Sequence, residues 1–129
     1  MATRKTGEDA QKIGHPRRGD IYLVNFDPTI GAEIKKTRPA LVIQNDISNT
    51  HSPITIVAAI SSQFSDPPFP REVVVEPAES GLPKRSAVVL NQIRSVDRQR
   101  LAKKLGHLSD REMQRVEEAL KISLGLVKL

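Results

Sequence analysis

The chain has 129 residues, of which 38% are hydrophobic and only 3% aromatic, so it can bury one compact core filled mainly by aliphatic side chains. It contains no cysteine, which excludes disulfides, thiolate metal sites and cysteine nucleophiles. Its formal net charge of +5 suits an acidic partner such as nucleic acid, although a merely basic surface explains it equally well. The scarcity of aromatic residues argues against a nucleic-acid-binding surface built from stacking platforms.

Residues 1–16 are polar and charged and show no apolar periodicity, which predicts a flexible N-terminal extension before a single domain at 17–129. The basic residues of this segment are not followed by an apolar stretch, so the segment is not a secretory signal. No apolar run approaches the length of a membrane span. We therefore expect a cytoplasmic protein without a membrane contact.

Five stretches are rich in aliphatic and β-branched residues and are bounded by turn residues, which predicts β-strands at 20–26, 39–45, 54–60, 72–76 and 87–96. Pro39 lacks the N–H of a ladder hydrogen bond, so we expect it at the first position of its strand. Residues 46–52 predict a turn or a short helix. The proline-rich stretch from Asp66 to Pro70 predicts a surface loop, and 81–84 predicts a turn.

The last third of the chain predicts helices. Asp97 can cap a helical segment that reaches Lys104 and that Gly106 stops. Ser109 and Glu112 form a capping box at the start of the best helix in the chain. Its apolar stripe has helical spacing and consists of Met113, Val116, Leu120 and Leu124. Five strands with one covering helix predict a mainly β fold, a small half-open β-barrel.

The chain carries no strong motif for a metal or a nucleotide. His15, His51 and His107 are isolated in the sequence and show no metal-ligand spacing. There is no glycine-rich phosphate loop and no serine-nucleophile elbow. We therefore expect no metal and no cofactor.

Polar side chains gather at the ends of predicted strands and in the loop before the second strand. They are Glu33, Lys35, Lys36, Thr37, Arg38, Ser61, Ser62, Gln63 and Gln92. Arg38 precedes a buried strand, and a strand anchored in a core holds its end residue firmly, which suits a catalytic group. Ordinary structural alternatives remain open from spacing alone, because Arg38 could pair with a surface carboxylate and Ser61 could simply end a strand.

Several stretches resemble the MazF/PemK family of toxins, in colinear order over roughly residues 17–127. They include RRGDIY at 17–22, DPTIGAE at 27–33, TRPALVI at 37–43, AAISSQ at 58–63, LNQIR at 90–94 and the stretch 101–126. A colinear series of this length is far more specific than any single motif. The resemblance implies an SH3-like antiparallel half-open barrel of the MazF/CcdB type with a C-terminal helix.

The resemblance also implies an activity and partners. Members of this family are toxins of type II toxin–antitoxin systems that cleave single-stranded RNA, above all mRNA, at specific sequences without a metal. The RNA 2′-OH attacks the adjacent phosphate and leaves 2′,3′-cyclic phosphate and 5′-OH ends, so DNA should not be cut. The implied partners are a second copy of the chain in a homodimer and a MazE-like antitoxin, for which we expect an acidic, partly disordered segment in the groove from Glu33 to Arg38.

Carried over residue by residue, the resemblance makes Arg38, Ser61 and Glu33 the catalytic candidates. Arg38 falls on the family's catalytic arginine, and its planar fork can donate two hydrogen bonds to the phosphate as negative charge builds. Ser61 falls where the family generally has a catalytic threonine and keeps the hydroxyl. Glu33 matches an acidic residue of the active-site loop, as a base or as a group that orients Arg38. The RNA-binding candidates are Lys35, Lys36, Thr37, Ser62, Gln63 and Gln92.

Three other hypotheses compete with the nuclease hypothesis. A toxin of the same fold could poison a protein target such as DNA gyrase, although the match of Arg38 and Ser61 to the nuclease pair counts against this. A non-catalytic RNA- or DNA-binding module and a protein–protein adaptor are the alternatives outside the enzyme class. Incubation of the protein with RNA distinguishes these hypotheses.

Overall fold

The computed structural model describes residues 14–33 and 36–128. Residues 1–13, most of the predicted extension, lie outside the described residues, so its flexibility stays a prediction. The strands are β1 (Asp20–Asn25), β2 (Thr37–Val42), β3 (Ile54–Ser61), β4 (Glu72–Val75), β5 (Ser86–Asp97) and β6 (Leu101–His107). The helices are α1 (Asp46–His51), α2 (Pro77–Ser80) and α3 (Asp110–Ser123), and a short 3-10 turn covers Arg98–Arg100.

The six strands form one antiparallel sheet with the order β4-β5-β3-β2-β1-β6. Within the described part of the chain, the edge strands β4 and β6 do not pair with each other. The sheet is therefore a half-open barrel, and the predicted fold class is confirmed.

Buried side chains alternate between the two faces of the sheet, as the period of a strand requires. One face buries Ile21, Leu41, Ala58 and Ile60 together with Val116 of α3. The other face buries Tyr22, Val24, Ala40, Val57 and Ala59. The sheet thus has an apolar cluster on each side, and α3 covers only one of them.

On the open side of the barrel, the end of α2 touches β6 through backbone contacts rather than through a strand ladder. Gly106 of β6 lies so close to the Ser80 carbonyl that a Cβ would collide with it, and a Cβ on Gly81 would collide with the Leu105 carbonyl. Gly81 also has φ +77, a conformation that other residues adopt at a cost. Only glycine therefore fits on either side of this seam.

The predicted helical segment from Asp97 to Lys104 is wrong. Asp97 does cap a turn, since its side chain accepts the Gln99 N–H, but the turn ends at Arg100 and β6 follows. β6 pairs with β1 from Asp20 to Val24. The residues from Leu101 to Leu105 favour a helix in isolation, and long-range pairing overrides that local preference.

Pro39 is the third residue of β2, not the first as predicted. Val42 accepts the Gly19 N–H from the β1 side, and hydrogen-bonding direction alternates along a strand. The nitrogen of Pro39 therefore faces the β3 side, where pairing starts only at Ala40. The missing N–H of Pro39 therefore removes no hydrogen bond from the β2–β3 pairing.

Helix α3 follows its sequence signals at the start and departs from them at the end. The Ser109 side chain accepts the Glu112 N–H, and Met113, Val116 and Ala119 are buried. Leu124, predicted as part of the apolar stripe, follows the last helical residue and is 57% exposed. Among the described residues, none of the helices has the length and apolarity needed to cross a membrane.

Candidate active site

A pocket of about 370 Å³ opens where β2 begins, β3 ends and β5 begins. We call it the Arg38 pocket. Its lining consists of Arg38, Pro39, Ile60, Ser61, Ser62, Gln63, Leu82, Pro83, Lys84 and Ser86. Antiparallel neighbours bring the start of one strand beside the end of the next. Four residues singled out from sequence (Arg38, Ser61, Ser62 and Gln63) therefore meet here, although the first two are 23 positions apart in the sequence.

Arg38 stands at the point where β2 passes from solvent into the core. Its backbone pairs with Val24 of β1, while the residues from Ala40 to Val42 are fully buried. The side chain of Arg38 itself lies in the exposed part of the strand. A rigid backbone therefore carries a solvent-accessible guanidinium, which is the arrangement that phosphate recognition requires.

The hydroxyl of Ser61 is held by the turn that follows β3. Its Oγ accepts the Gln63 N–H at 3.0 Å and donates to the Gln63 carbonyl at 3.2 Å. The donated bond is long for an O–H donor, and a hydroxyl proton rotates to suit its acceptor. The Gln63 N–H can therefore keep Oγ in place while the proton turns toward a ligand in the pocket.

Sequence reasoning missed the wall of the Arg38 pocket that comes from residues 82–86. Lys84 and Ser86 line the pocket, but the stretch around them predicted only a turn and a strand start. The pairing of Ser61 with Ala87 brings them there. Recognising that β3 and β5 are sheet neighbours would have found them.

A second pocket, of about 530 Å³, is here called the Glu33 pocket. It is lined by Phe26, Pro28, Thr29, Ile30, Ala32, Glu33, Ala59, Asn91, Gln92, Ile93 and Arg94. Ala59 lines this pocket and its neighbour Ile60 lines the Arg38 pocket, and the two belong to different core clusters. The two pockets thus draw on neighbouring residues of β3 and share no lining residue.

Gln92 reaches the Glu33 pocket through an irregularity in β5. Ala58 pairs with Ile93 and Ile60 with Val88, so β3 advances by two residues while β5 advances by five. The extra residues leave the ladder, as in an extended β-bulge. Gln92, singled out for its interruption of an apolar strand, lies in that irregular stretch.

The β1–β2 loop that carries Glu33 is held at its base. Lys36 closes it with φ 63, since its N–H donates to Asp27 Oδ1 and its carbonyl accepts the Phe26 N–H, both at 2.9 Å. Arg94 donates to the Phe26 carbonyl at 2.5 Å, and Arg100 donates to the carbonyls of Asn25 and Asp27 at 3.0 and 2.6 Å. Two arginines thus fasten one end of the loop.

Glu33 is engaged within its own loop. Its Oε1 accepts the Ile30 N–H at 2.7 Å, and it does not line the Arg38 pocket. Lys36 and Thr37 are exposed and line neither pocket, while Lys35 lies outside the described residues. Glu33 and Gln92 therefore line one pocket, and Arg38 lines the other.

Titratable groups elsewhere stabilise the fold. Asp20, 3% exposed at its side chain, accepts from His107 at 2.7 Å and pairs with Lys104 at 3.2 Å, which ties β1 to β6. Within residues 14–33 and 36–128, no group of three His, Asp or Glu side chains is arranged to hold a metal ion.

Comparison with known proteins identifies the relatives of this chain. The family model described as the PemK-like, MazF-like toxin of type II toxin–antitoxin system matches residues 17–124. Endoribonuclease EndoA of Bacillus subtilis (strain 168) is 45% identical over 111 residues, which span 86% of this chain and 96% of that protein. Endoribonuclease MazF of Staphylococcus saprophyticus is 44% identical over 110 residues, spanning 85% and 92% of the two chains.

A solved relative shares the fold. The MazE–MazF crystal structure (Form-II) from Deinococcus radiodurans contains a chain that superposes with a TM-score of 0.67 at 27% identity. The alignment covers 87% of this chain and 97% of that one. The half-open barrel with its C-terminal helix thus recurs in a protein crystallised with a partner.

Proposed function

This chain belongs to the PemK-like, MazF-like family of type II toxin–antitoxin toxins, and from that premise we propose how it acts on RNA. It is an endoribonuclease toxin, as are the relatives that are 44–45% identical over most of its length. The observation that supports a site is the grouping of Arg38, Ser61, Ser62 and Gln63 around one pocket. The substrate is single-stranded RNA, cut at specific sequences.

The reaction is a transfer within the RNA. The 2′-oxygen forms a bond to the adjacent phosphorus, the bond from phosphorus to the 5′-oxygen breaks, and the 2′-OH proton goes to a base while a proton reaches the 5′-oxygen. The products are a 2′,3′-cyclic phosphate and a 5′-OH. Because the nucleophile belongs to the substrate, DNA lacks the reaction.

Arg38 and Ser61 stabilise the charge that builds on the phosphate. The guanidinium of Arg38 donates two hydrogen bonds from a planar fork. Ser61 donates a third through a hydroxyl whose oxygen is fixed by the Gln63 N–H. A serine in place of the family's threonine retains this donor and loses a methyl group that restricts rotation, and the Gln63 contact compensates for that loss.

The structure constrains the identity of the general base, the group that accepts the 2′-OH proton, less than it constrains the other roles. A guanidinium pKa above about 12 makes Arg38 a poor base at neutral pH. Glu33 remains a candidate, and in that role it must exchange its bond to the Ile30 N–H for a position near the scissile bond. Glu33→Gln should lower kcat by about 10²-fold if Glu33 is the base, and should change KM more than kcat if it only shapes its loop.

Cationic and amide groups around the pockets bind the RNA chain. Lys84 adds to Lys35 and Lys36 as a source of salt-dependent attraction to the phosphates. Ser62 and Gln63 lie beside the Arg38 pocket, and Gln92 in the other pocket carries an amide that can pair with a base edge. Thr37 remains a candidate for contact with the RNA backbone.

The protein works in the cytoplasm, where its mRNA substrate is, as a homodimer controlled by an antitoxin. Support for the antitoxin comes from the relative crystallised as a MazE–MazF complex. The partner is expected to present an acidic segment to the stretch from Glu33 to Arg38, because such a segment mimics the charge of RNA.

The experiment is cleavage of a long single-stranded RNA in excess EDTA, followed by end-group analysis, with wild type, Arg38→Ala and Arg111→Ala. Arg111 is an exposed arginine of α3 outside both pockets, so its variant is a matched control for lost positive charge. Discrete cuts with cyclic-phosphate ends, lost only in Arg38→Ala, are the expected result. Absence of cuts by folded, antitoxin-free wild type on several RNAs would contradict the proposal, and normal cleavage by Arg38→Ala would remove Arg38 from the site.

A further inference from the structure

Cleavage of the RNA requires two proton transfers, and the hydrogen bonds from Arg38 and Ser61 account for neither. The 2′-OH proton goes to a base, and the 5′-oxygen must gain a proton as its bond to phosphorus breaks. An alkoxide is too strong a base to leave readily in water at neutral pH, so a proton donor beside the 5′-oxygen accelerates the reaction. Such a donor must lie at the Arg38 pocket, where the phosphate binds.

The lining of the Arg38 pocket has one side chain suited to this transfer. Among the described residues, two ionisable groups line the pocket, those of Arg38 and Lys84, and no carboxylate lines it. A guanidinium holds its protons too tightly to donate one at neutral pH, whereas an ammonium releases a proton more readily. The hydroxyl and amide groups of the lining are weaker acids than an ammonium. Lys84 is therefore the lining residue whose side chain can serve as an acid.

The backbone of Lys84 is held on both sides. Leu82 is buried in the core, and its N–H donates to Ser80 Oγ at 3.1 Å. Ser86 is also buried, and its hydroxyl donates to the Lys84 carbonyl at 2.9 Å. The exposed side chain of Lys84 thus extends from a fixed turn, so less entropy is lost when it contacts a substrate.

The strand order places Ser61 between Arg38 and the turn that carries Lys84. Arg38 lies in β2, Ser61 ends β3, and the turn leads into β5, whose Ala87 pairs with Ser61. Since β2 and β5 are two interstrand spacings apart, about 10 Å, a phosphate and its ester oxygens fit between side chains that extend from them. A phosphate held by Arg38 and Ser61 therefore has Lys84 on its β5 side.

The two adjacent cations of this turn differ in their partners. Arg85 pairs with Glu76 at 2.9 Å. Within residues 14–33 and 36–128, none of the ion pairs involves Lys84. The charge of Arg85 is thus balanced within the protein, whereas that of Lys84 is available to the substrate.

We propose that Lys84 is the general acid of the cleavage reaction. As the bond from phosphorus to the 5′-oxygen breaks, a bond from Lys84 Nζ to hydrogen breaks as well, and the proton forms the new 5′-OH. Lys84 is left as a neutral amine and regains a proton from water before the next turnover. This inference rests on the proposed endoribonuclease activity and assigns the second of its two proton transfers.

The test compares two short RNAs that carry one mapped cleavage site, one natural and one with sulfur in place of the 5′-oxygen at that site. A thiolate leaves without a proton because it is a far weaker base than an alkoxide. In single-turnover cleavage, Lys84→Met should be slower than wild type by about 10²-fold on the natural RNA and should approach wild type on the sulfur RNA. Arg38→Ala should be slow on both, because charge builds on the phosphate with either leaving group.

Two further variants separate proton donation from charge. Lys84→Arg keeps the positive charge and should bind RNA with the salt dependence of wild type, yet it should cleave the natural RNA slowly. Lys103 is an exposed lysine of β6 that lines neither pocket. Lys103→Met is therefore the matched control for a lost lysine, and it should cleave both RNAs as wild type does.

Equal slowing of both RNAs by Lys84→Met would overturn the proposal, since Lys84 would then only bind or stabilise the phosphate. Normal cleavage of the natural RNA by Lys84→Met would remove Lys84 from the reaction, and normal cleavage by Lys84→Arg would show that charge alone is needed. Failure of the nuclease proposal looks different, because wild type would then leave the natural RNA uncut.

Discussion

The Arg38 pocket and the Glu33 pocket are built by different means. The Arg38 pocket takes its polar groups from strand ends and from the turns directly attached to them, so paired backbone fixes each group. The Glu33 pocket takes its groups from an eleven-residue connection between β1 and β2 and from the irregular stretch of β5. The first pocket is suited to chemistry that needs a fixed geometry, and the second to recognition that needs adaptable contacts.

The largest expected effect comes from a change within the rigid pocket. Arg38→Lys keeps the positive charge and removes the planar fork, so single-turnover cleavage should slow by about 10²–10³-fold. The salt dependence of RNA binding should stay near that of wild type, because the charge is retained. A lysine variant with nearly normal cleavage would show that charge alone is needed and would remove the distinction drawn between the pockets.

A second test asks whether the hydroxyl of Ser61 is the functional group. Ser61→Ala removes the donor and should reduce kcat by about 10²-fold. Ser61→Thr, which retains the hydroxyl, should stay within a few-fold of wild type. An equal kcat for Ser61→Ala and wild type would mean that the Ser61 hydroxyl only stabilises the turn at Gln63 and does not bind the phosphate.

Substitutions in the Glu33 pocket should act on RNA binding rather than on the chemical step. Arg94→Gln weakens the charged hydrogen bond to the Phe26 carbonyl and should raise KM about tenfold with kcat nearly unchanged, while Arg94→Lys should be milder. Steady-state cleavage of a short RNA measures both constants. A fall in kcat that matches Arg38→Lys would indicate that the two pockets act as one rigid unit.

The smallest effect is expected away from both pockets. The Asp46 carboxylate accepts the Arg18 N–H at 2.7 Å, and this bond holds the pKa of Asp46 below its ordinary value. A carboxylate whose pKa is lower in the folded state stabilises the fold above its unfolded pKa of about 4 and loses that contribution as the pH falls through the folded value. The melting temperature of Asp46→Asn should therefore lie slightly below that of wild type at pH 7 and converge with it under acid. A constant gap would contradict the assignment, and cleavage at neutral pH should be normal.

The same contrast explains what the sequence could predict. Strand alternation and the Ser109 capping box predicted five strands and α3, and family resemblance pointed to Arg38 and Ser61, which the fold then brings to one pocket. β6 was missed because its residues favour a helix locally and become a strand only by pairing with β1. Lys84 and Ser86 were missed because their position depends on the long-range pairing of β3 with β5.

The position of the surface aromatic residues and the path of the β1–β2 loop were hardest to predict. The small number of aromatic residues argued against stacking, yet the two that remain outside the core lie together in the loop between β3 and β4. Composition counts residues and cannot report where they gather. Glu33 and Arg38 are only a few positions apart in sequence yet line different pockets, and this depends on the path of a loop that no periodicity describes.

The glycine seam between β6 and the end of α2 has a genetic consequence. In cells that carry such a toxin without its antidote, survivors are those in which the toxin has been inactivated. Any side chain at Gly106 meets the Ser80 carbonyl, so survivors should carry substitutions at this glycine as readily as at Arg38, although it lines neither pocket. A map of escape mutations would therefore outline the closure of the barrel as clearly as its chemistry.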